Sequence, residues 1–131
     1  MLEKIFGPYK DYSFLVLRLG VGSVFIGYGT IKFYGGLGSV ASYFAQLGIP
    51  LPGIMAPVVA ATEFFGGLAI VLGISTRLAA ILLSAVMLVA MATATLAMGF
   101  AGGYDLNLAL LAGLLCLLLA GPGKPAIGGD L

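Results

Sequence analysis

An arginine stands inside the apolar stretch "FLVLRLGVGSVFIGYGTIKF" (14–33), and a glutamate stands inside "VVAATEFFGGLAIV" (58–71). Both are residue types that do chemistry, placed where charge is unwelcome. An ionised side chain near a hydrocarbon centre costs at least about 2.5–3.5 kcal/mol on insertion scales; it persists when it pairs, faces a bundle interior or reaches an interface. Arg18 lies near the start of its stretch, so its stem can also snorkel to water. Glu63 has no such exit and must be paired or protonated. If the two stretches are antiparallel helices rising about 1.5 Å per residue, Arg18 stands about 9 Å and Glu63 about 15 Å from one boundary. Arg18 is therefore the expected partner of Glu63. Lys32, ending the first helix, and Asp105, opening the last, form a second expected pair. A carboxylate at a helix N-terminus is also favoured by the macrodipole, so both readings of Asp105 stand.

The elements that must carry these groups are membrane spans. The 131 residues are 61% hydrophobic and 8% charged, against roughly 25% charged in soluble domains. No charge falls between Lys32 and Glu63 or between Arg77 and Asp105. Each gap holds the roughly 20 apolar residues of a span. A net charge of +1 argues against a nucleic-acid partner, which needs a basic face. One cysteine, Cys116, and no histidine leave no disulfide, no CxxC pair and no ordinary zinc or histidine-ligated haem site. The first apolar segment, interrupted by Arg18 and too long for a signal-peptide core, reads as retained.

The pattern predicts an all-α, up-down four-helix transmembrane bundle in one domain (1–131), with helices at about 12–33, 56–72, 76–98 and 104–120. Pro57 falls in the first turn of the second helix, Gly73 caps its end, and Ser75 or Thr76 caps the third. Between the first two, Val40, Tyr43, Phe44 and Leu47 share one face. They predict a short amphipathic helix at about 39–47, started by Ser39, ended by Gly48 and lying at the membrane interface. Lysine and arginine bias puts Lys4, Lys10, Arg77 and Lys124 on one side, so both termini are expected in the cytoplasm.

On the first helix Arg18, Gly22, Phe25, Gly29 and Lys32 recur at spacings of four, three, four and three, a single bundle-facing stripe. Gly22 and Gly29, with Gly66 and Gly67 beside Glu63, let backbones approach closely. Ser84, Met87, Met91 and Met98 make a softer stripe on the third helix, read as gap-filling core. Cys116, close to the face of Asp105, is read as a buried small residue.

These residues resemble a known family. Arg-x3-Gly-x2-Phe-x3-Gly-x2-Lys, "LGIP" (47–50), Glu63 followed by "GG", "LGISTRLAA" (72–80) and "GGYDLNLALL…AGPGKPAI" resemble the DoxX family of small four-helix membrane proteins over about residues 12–127. Where that family usually carries tyrosine–glutamate, this chain has Tyr104–Asp105, a shorter carboxylate with a different reach. The resemblance implies a plasma-membrane protein linked to quinone-coupled sulfur or thiol redox systems or to quinol oxidase complexes. Fold transfers through such a likeness better than chemistry does.

Three functions follow as expectations. The first is an accessory or ligand-binding component of a quinone-linked redox system. It has no intrinsic cofactor, takes a quinone or another apolar ligand, and joins a respiratory or thiol-redox complex. Its site residues are Arg18, Glu63, Phe25, Gly22, Lys32 and Asp105. The second is a small proton-coupled exporter of paired protomers, turning on Glu63. The third is a structural anchor subunit.

Overall fold

In the computed structural model, which describes residues 1–128, the chain is mainly helical, with no strand among the described residues. α1 (Leu2–Phe6) runs through a tight 3-10 turn (Gly7–Tyr12) into α2 (Ser13–Tyr34). There follow α3 (Leu37–Gln46), α4 (Pro52–Leu72), α5 (Thr76–Ala90) and α6 (Asp105–Ala120). Four helical stretches, Leu2–Tyr34, Pro52–Leu72, Thr76–Thr95 and Phe100–Ala120, are long and apolar enough to cross a membrane. Large apolar side chains such as Val16, Ile31, Phe65 and Leu119 face outward, as a bundle surrounded by lipid requires.

α2 packs most extensively on α4, and α5 on α6. Glycine makes the first contact possible. A Cβ added at Gly29 would lie 2.6 Å from the Phe64 amide nitrogen, and one at Gly22 would lie 2.7 Å from the Gly67 carbonyl oxygen. The two backbones are therefore nearly in van der Waals contact. The core beyond this seam is Phe25, Ile70, Leu83, Leu114 and Leu117, all fully buried. The stripe read on the first helix is the inward one: Arg18, Gly22, Phe25 and Gly29 are buried and Lys32 half-buried.

Several boundaries differ from the expected ones. α4 begins at Pro52, which takes the first-turn role assigned to Pro57, and Pro57 lies inside the helix. α3 starts at Leu37 behind Gly36 (φ +94°), so Ser39 is internal. Its end is the expected one: Gly48 has φ +81° and the Ile49 amide reaches back to the Phe44 carbonyl at 3.1 Å. α3 lies along α4, with Phe44 buried and Val40 and Leu47 half-buried. Gly73 caps α4 with φ +73°. Ser75 precedes α5 but offers it no side-chain hydrogen bond.

The third span does not continue as an α-helix to Met98. It widens into a π turn at Met91–Thr95, closed by the Leu96 amide on the Met91 carbonyl at 3.1 Å. A second wide turn, Phe100–Tyr104, leads into α6 and is broken at Ala101 and Gly102. Such turns cluster at functional places in helices, and these two stand at the same end of the bundle.

A candidate ligand cavity and two separated charge centres

Arg18 does not meet Glu63. Its guanidinium is caged by four carbonyls: Nε donates to Ile70 (3.1 Å), Nη2 to Val71 (3.1 Å), and Nη1 to Pro122 (2.9 Å) and Pro125 (2.6 Å). The expected pairing assumed that helices one and two end at the same height. They are staggered. With Gly29 against Phe64 and Gly22 against Val71, the antiparallel register sets Glu63 level with about Thr30, roughly 18 Å along the axis from Arg18. Arg18 instead stands level with the end of α4, whose last carbonyls lack helical partners and carry the negative end of the dipole. It caps that helix and clamps the C-terminal segment over it. Arg77 repeats the device, donating from Nε to the Leu118 carbonyl near the end of α6 at 3.1 Å.

The partner of Glu63 is Lys32. Nζ lies 2.5 Å from Oε1, the lysine side chain 22% exposed and the glutamate 3%. Lys32 also sits 5.6 Å from the centroid of the Tyr28 ring, within cation–π range. Lys32 is thus not engaged with Asp105. Asp105 accepts the amides of Leu106 (2.8 Å) and Gly102 (3.3 Å), which is the helix-terminus role that its position also allowed.

The ion pair is part of the wall of an open cavity of about 940 Å³, within the volume range of small-molecule sites. α3 contributes Tyr43 and Phe44, α4 contributes Val59 and Glu63, and the region of the two wide turns contributes Thr95 and Met98. The lining is mainly apolar, with a few convergent polar groups. Asp105 stands on it, and so does Asn107, whose amide has only a thioether to hold, donating from Nδ2 to Met87 Sδ at 3.5 Å. Thr95 Oγ1 is buried there without a partner. Sulfur is a weak acceptor, so the Asn107 amide keeps most of its hydrogen-bonding capacity for something else.

Of the six site residues expected from sequence, Lys32, Glu63 and Asp105 line this cavity, whereas Arg18, Gly22 and Phe25 do not. Gly22 and Phe25 are seam and core; Arg18 is at the other end of the bundle, about 21 Å from Lys32 along α2. Asn107 was missed. Its signal was available, as an amide in the first turn of a helix that is otherwise apolar beyond Asp105. Among the methionines, Met87 is buried core and Met98 is an exposed cavity residue. Cys116 is exposed rather than buried. Eleven residues of helix carry it past the inward face of Leu110, Gly113, Leu114 and Leu117.

The model of the DoxX family matches residues 13–96. A Bacillus subtilis (strain 168) protein named "Putative oxidoreductase CatD" is 34% identical over 107 residues, covering 82% of this chain and 78% of the relative. The "Inner membrane protein YqjF" of Escherichia coli (strain K12) is 36% identical over 126 residues, covering 90% and 91%. No solved structure matches the chain.

Proposed function

This chain belongs to the DoxX family of membrane proteins, and on that premise we propose that it is the ligand-binding component of a membrane redox system, holding a quinone-type molecule in the cavity beside Lys32 and Glu63. The observation that carries this reading is the cavity itself, with an apolar wall, about 940 Å³ and a charged pair set into one side. A quinone ring has carbonyl acceptors at its ends and apolar faces and substituents between. The residues fit that chemistry. The Lys32 ammonium is a donor for one carbonyl, the Asn107 amide is a second donor on another wall, and Val59, Phe44 and Met98 cover the apolar body. When bound, such a ligand carries electrons and protons between partner proteins. The protein supplies binding, orientation and a dry wall around it. Glu63 holds Lys32 in place and keeps its charge compensated within the bundle.

The name of the Bacillus subtilis relative supports an oxidoreductase context, and that of the Escherichia coli relative an inner-membrane one. Lys4, Lys10, Arg77 and Lys124 gather at the end of the bundle where α2 begins and α4 ends, which by the positive-inside rule is the cytoplasmic end. The cavity then opens toward the opposite side. In this reading the protein works with an electron-transfer partner in the plasma membrane, to which the bound ligand would pass its electrons.

Purification from native lipid, followed by solvent extraction and mass spectrometry, tests the assignment. Wild-type protein should retain quinone, and the Lys32→Met/Glu63→Leu double variant should lose it. A preparation free of quinone under conditions that keep other lipids would contradict the reading. Proton-driven uptake by reconstituted vesicles, abolished by Glu63→Gln, would move the assignment to a proton-coupled exporter built on the same carboxylate.

A further inference from the structure

At the end opposite the cavity, residues 121–128 fold back across the ends of α4 and α6. The strap is held from inside. Arg18 takes the carbonyls of Pro122 and Pro125, while the amides of Ile127 and Gly128 donate to the carbonyls of Leu72 (3.2 Å) and Gly73 (2.9 Å). The peptides Pro122–Gly123 and Pro125–Ala126 are both trans. A trans peptide points its C=O and N–H to opposite sides. With both carbonyls turned in to Arg18, the amides of Gly123 and Ala126 turn away from it. Neither has an acceptor among the described residues, and nor does the Lys124 amide.

A small cavity of about 290 Å³ opens on this strap, lined by Arg77, Gly121, Gly123, Lys124 and Ala126 among others. Arg77 is aimed by its Nε bond to Leu118, which leaves both terminal nitrogens of the guanidinium without an acceptor among the described residues. No acidic side chain among them lines the cavity. Among the described residues the site therefore offers two cations and outward backbone amides, with no carboxylate to compete. Backbone amides gathered in a turn form an anion-binding concavity, and the arginine fork matches phosphate oxygens two at a time.

The geometry points to a binding site for a phosphate group carried by an anionic phospholipid. The site lies at the helix ends, at headgroup level, where basic pockets between spans collect such lipids. It is independent of the quinone reading, since it shares no residue with the large cavity.

The test is native mass spectrometry of the full chain, released from nanodiscs containing equal phosphatidylglycerol and phosphatidylcholine. The wild type should retain phosphatidylglycerol roughly thirtyfold over phosphatidylcholine, as two interfacial cations warrant. Arg77→Gln and Lys124→Gln should each reduce that preference. Arg77 also caps α6, so its variant can fail to fold. Lys124 is exposed and makes no side-chain hydrogen bond or ion pair among the described residues, so Lys124→Gln alone keeps the test decisive. A parallel arm adds inorganic phosphate to lipid-stripped protein in detergent and follows thermal unfolding. Stabilisation there that Lys124→Gln removes, without lipid retention, identifies free phosphate as the source and supports the same anion site. Equal retention of both lipids with no phosphate effect, or a preference unchanged in Lys124→Gln, would overturn the proposal.

Discussion

Lys32 Nζ and Glu63 Oε1 are 2.5 Å apart on the wall of the large cavity, and the two side chains come from different helices whose contact is set by glycine. This one relationship joins fold to function. Gly22 and Gly29 bring α2 against α4, and that contact carries Lys32 to the level where a deep carboxylate needs a cation. Removing one partner strands the other. Glu63→Gln should destabilise the protein, by less than the about 3–5 kcal/mol of a fully enclosed pair because Lys32 reaches water in part. Adding Lys32→Met should restore much of the loss. Thermal unfolding of the four-member cycle in detergent measures this, with an expected coupling above about 1 kcal/mol; additive effects would refute the pair.

Arg18→Gln removes four hydrogen bonds to carbonyls, and bonds to charged groups are worth about 1.5–3 kcal/mol each. Arg18→Lys should recover little, since an ammonium cannot reproduce the fork. The loss should be local as well as global. Hydrogen exchange at Ile127 and Gly128, whose amides pair with Leu72 and Gly73, should accelerate. Combined with Glu63→Gln the effects should add, because the two charge centres share no partner.

Gly29→Ala places a methyl group 2.6 Å from the Phe64 amide nitrogen, and overpacking of this kind costs about 1–3 kcal/mol. Gly27→Ala, two residues away with nothing within 4 Å, should instead stabilise α2 by up to about 1 kcal/mol through helix propensity. Melting temperatures moving in opposite directions would establish the seam; equal shifts would contradict it.

The four spans were legible because a bilayer leaves helices few alternatives, and the inward stripe of α2 was legible because its spacing follows bundle geometry. Gly48 and Gly73 announced their turns by residue type. The partner of Arg18 was not legible. Sequence spacing measures depth from a helix end, and here the ends of α2 and α4 are staggered, a fact held only in the glycine contacts between them. Nor could composition show that an arginine would be answered by backbone carbonyls, since every residue carries one. The π turn after Ala90 was invisible for a similar reason, since no helix-breaking residue stands at Met91–Thr95; the turn before Asp105 was announced by its glycines, though not its width.

Cys116 faces outward from α6. A lipid-soluble maleimide should label it in intact membranes, while a sulfonated, membrane-impermeant one should not. Cys116→Ser should leave the melting temperature within about 0.5 kcal/mol equivalent of wild type. Resistance to the lipid-soluble reagent would mean that another protomer or protein covers this face.

The account turns on what occupies the cavity beside Lys32 and Glu63. Photo-crosslinking of the membrane-embedded protein with an azidoquinone, followed by peptide mapping, reads this directly. Adducts are expected on cavity residues of α3, α4 and the Thr95–Met98 region, and Asn107→Leu should diminish them while leaving the melting temperature in place. Adducts confined to outward-facing residues such as Phe65 or Leu119, with no change in the Asn107 and Lys32 variants, would contradict the assignment.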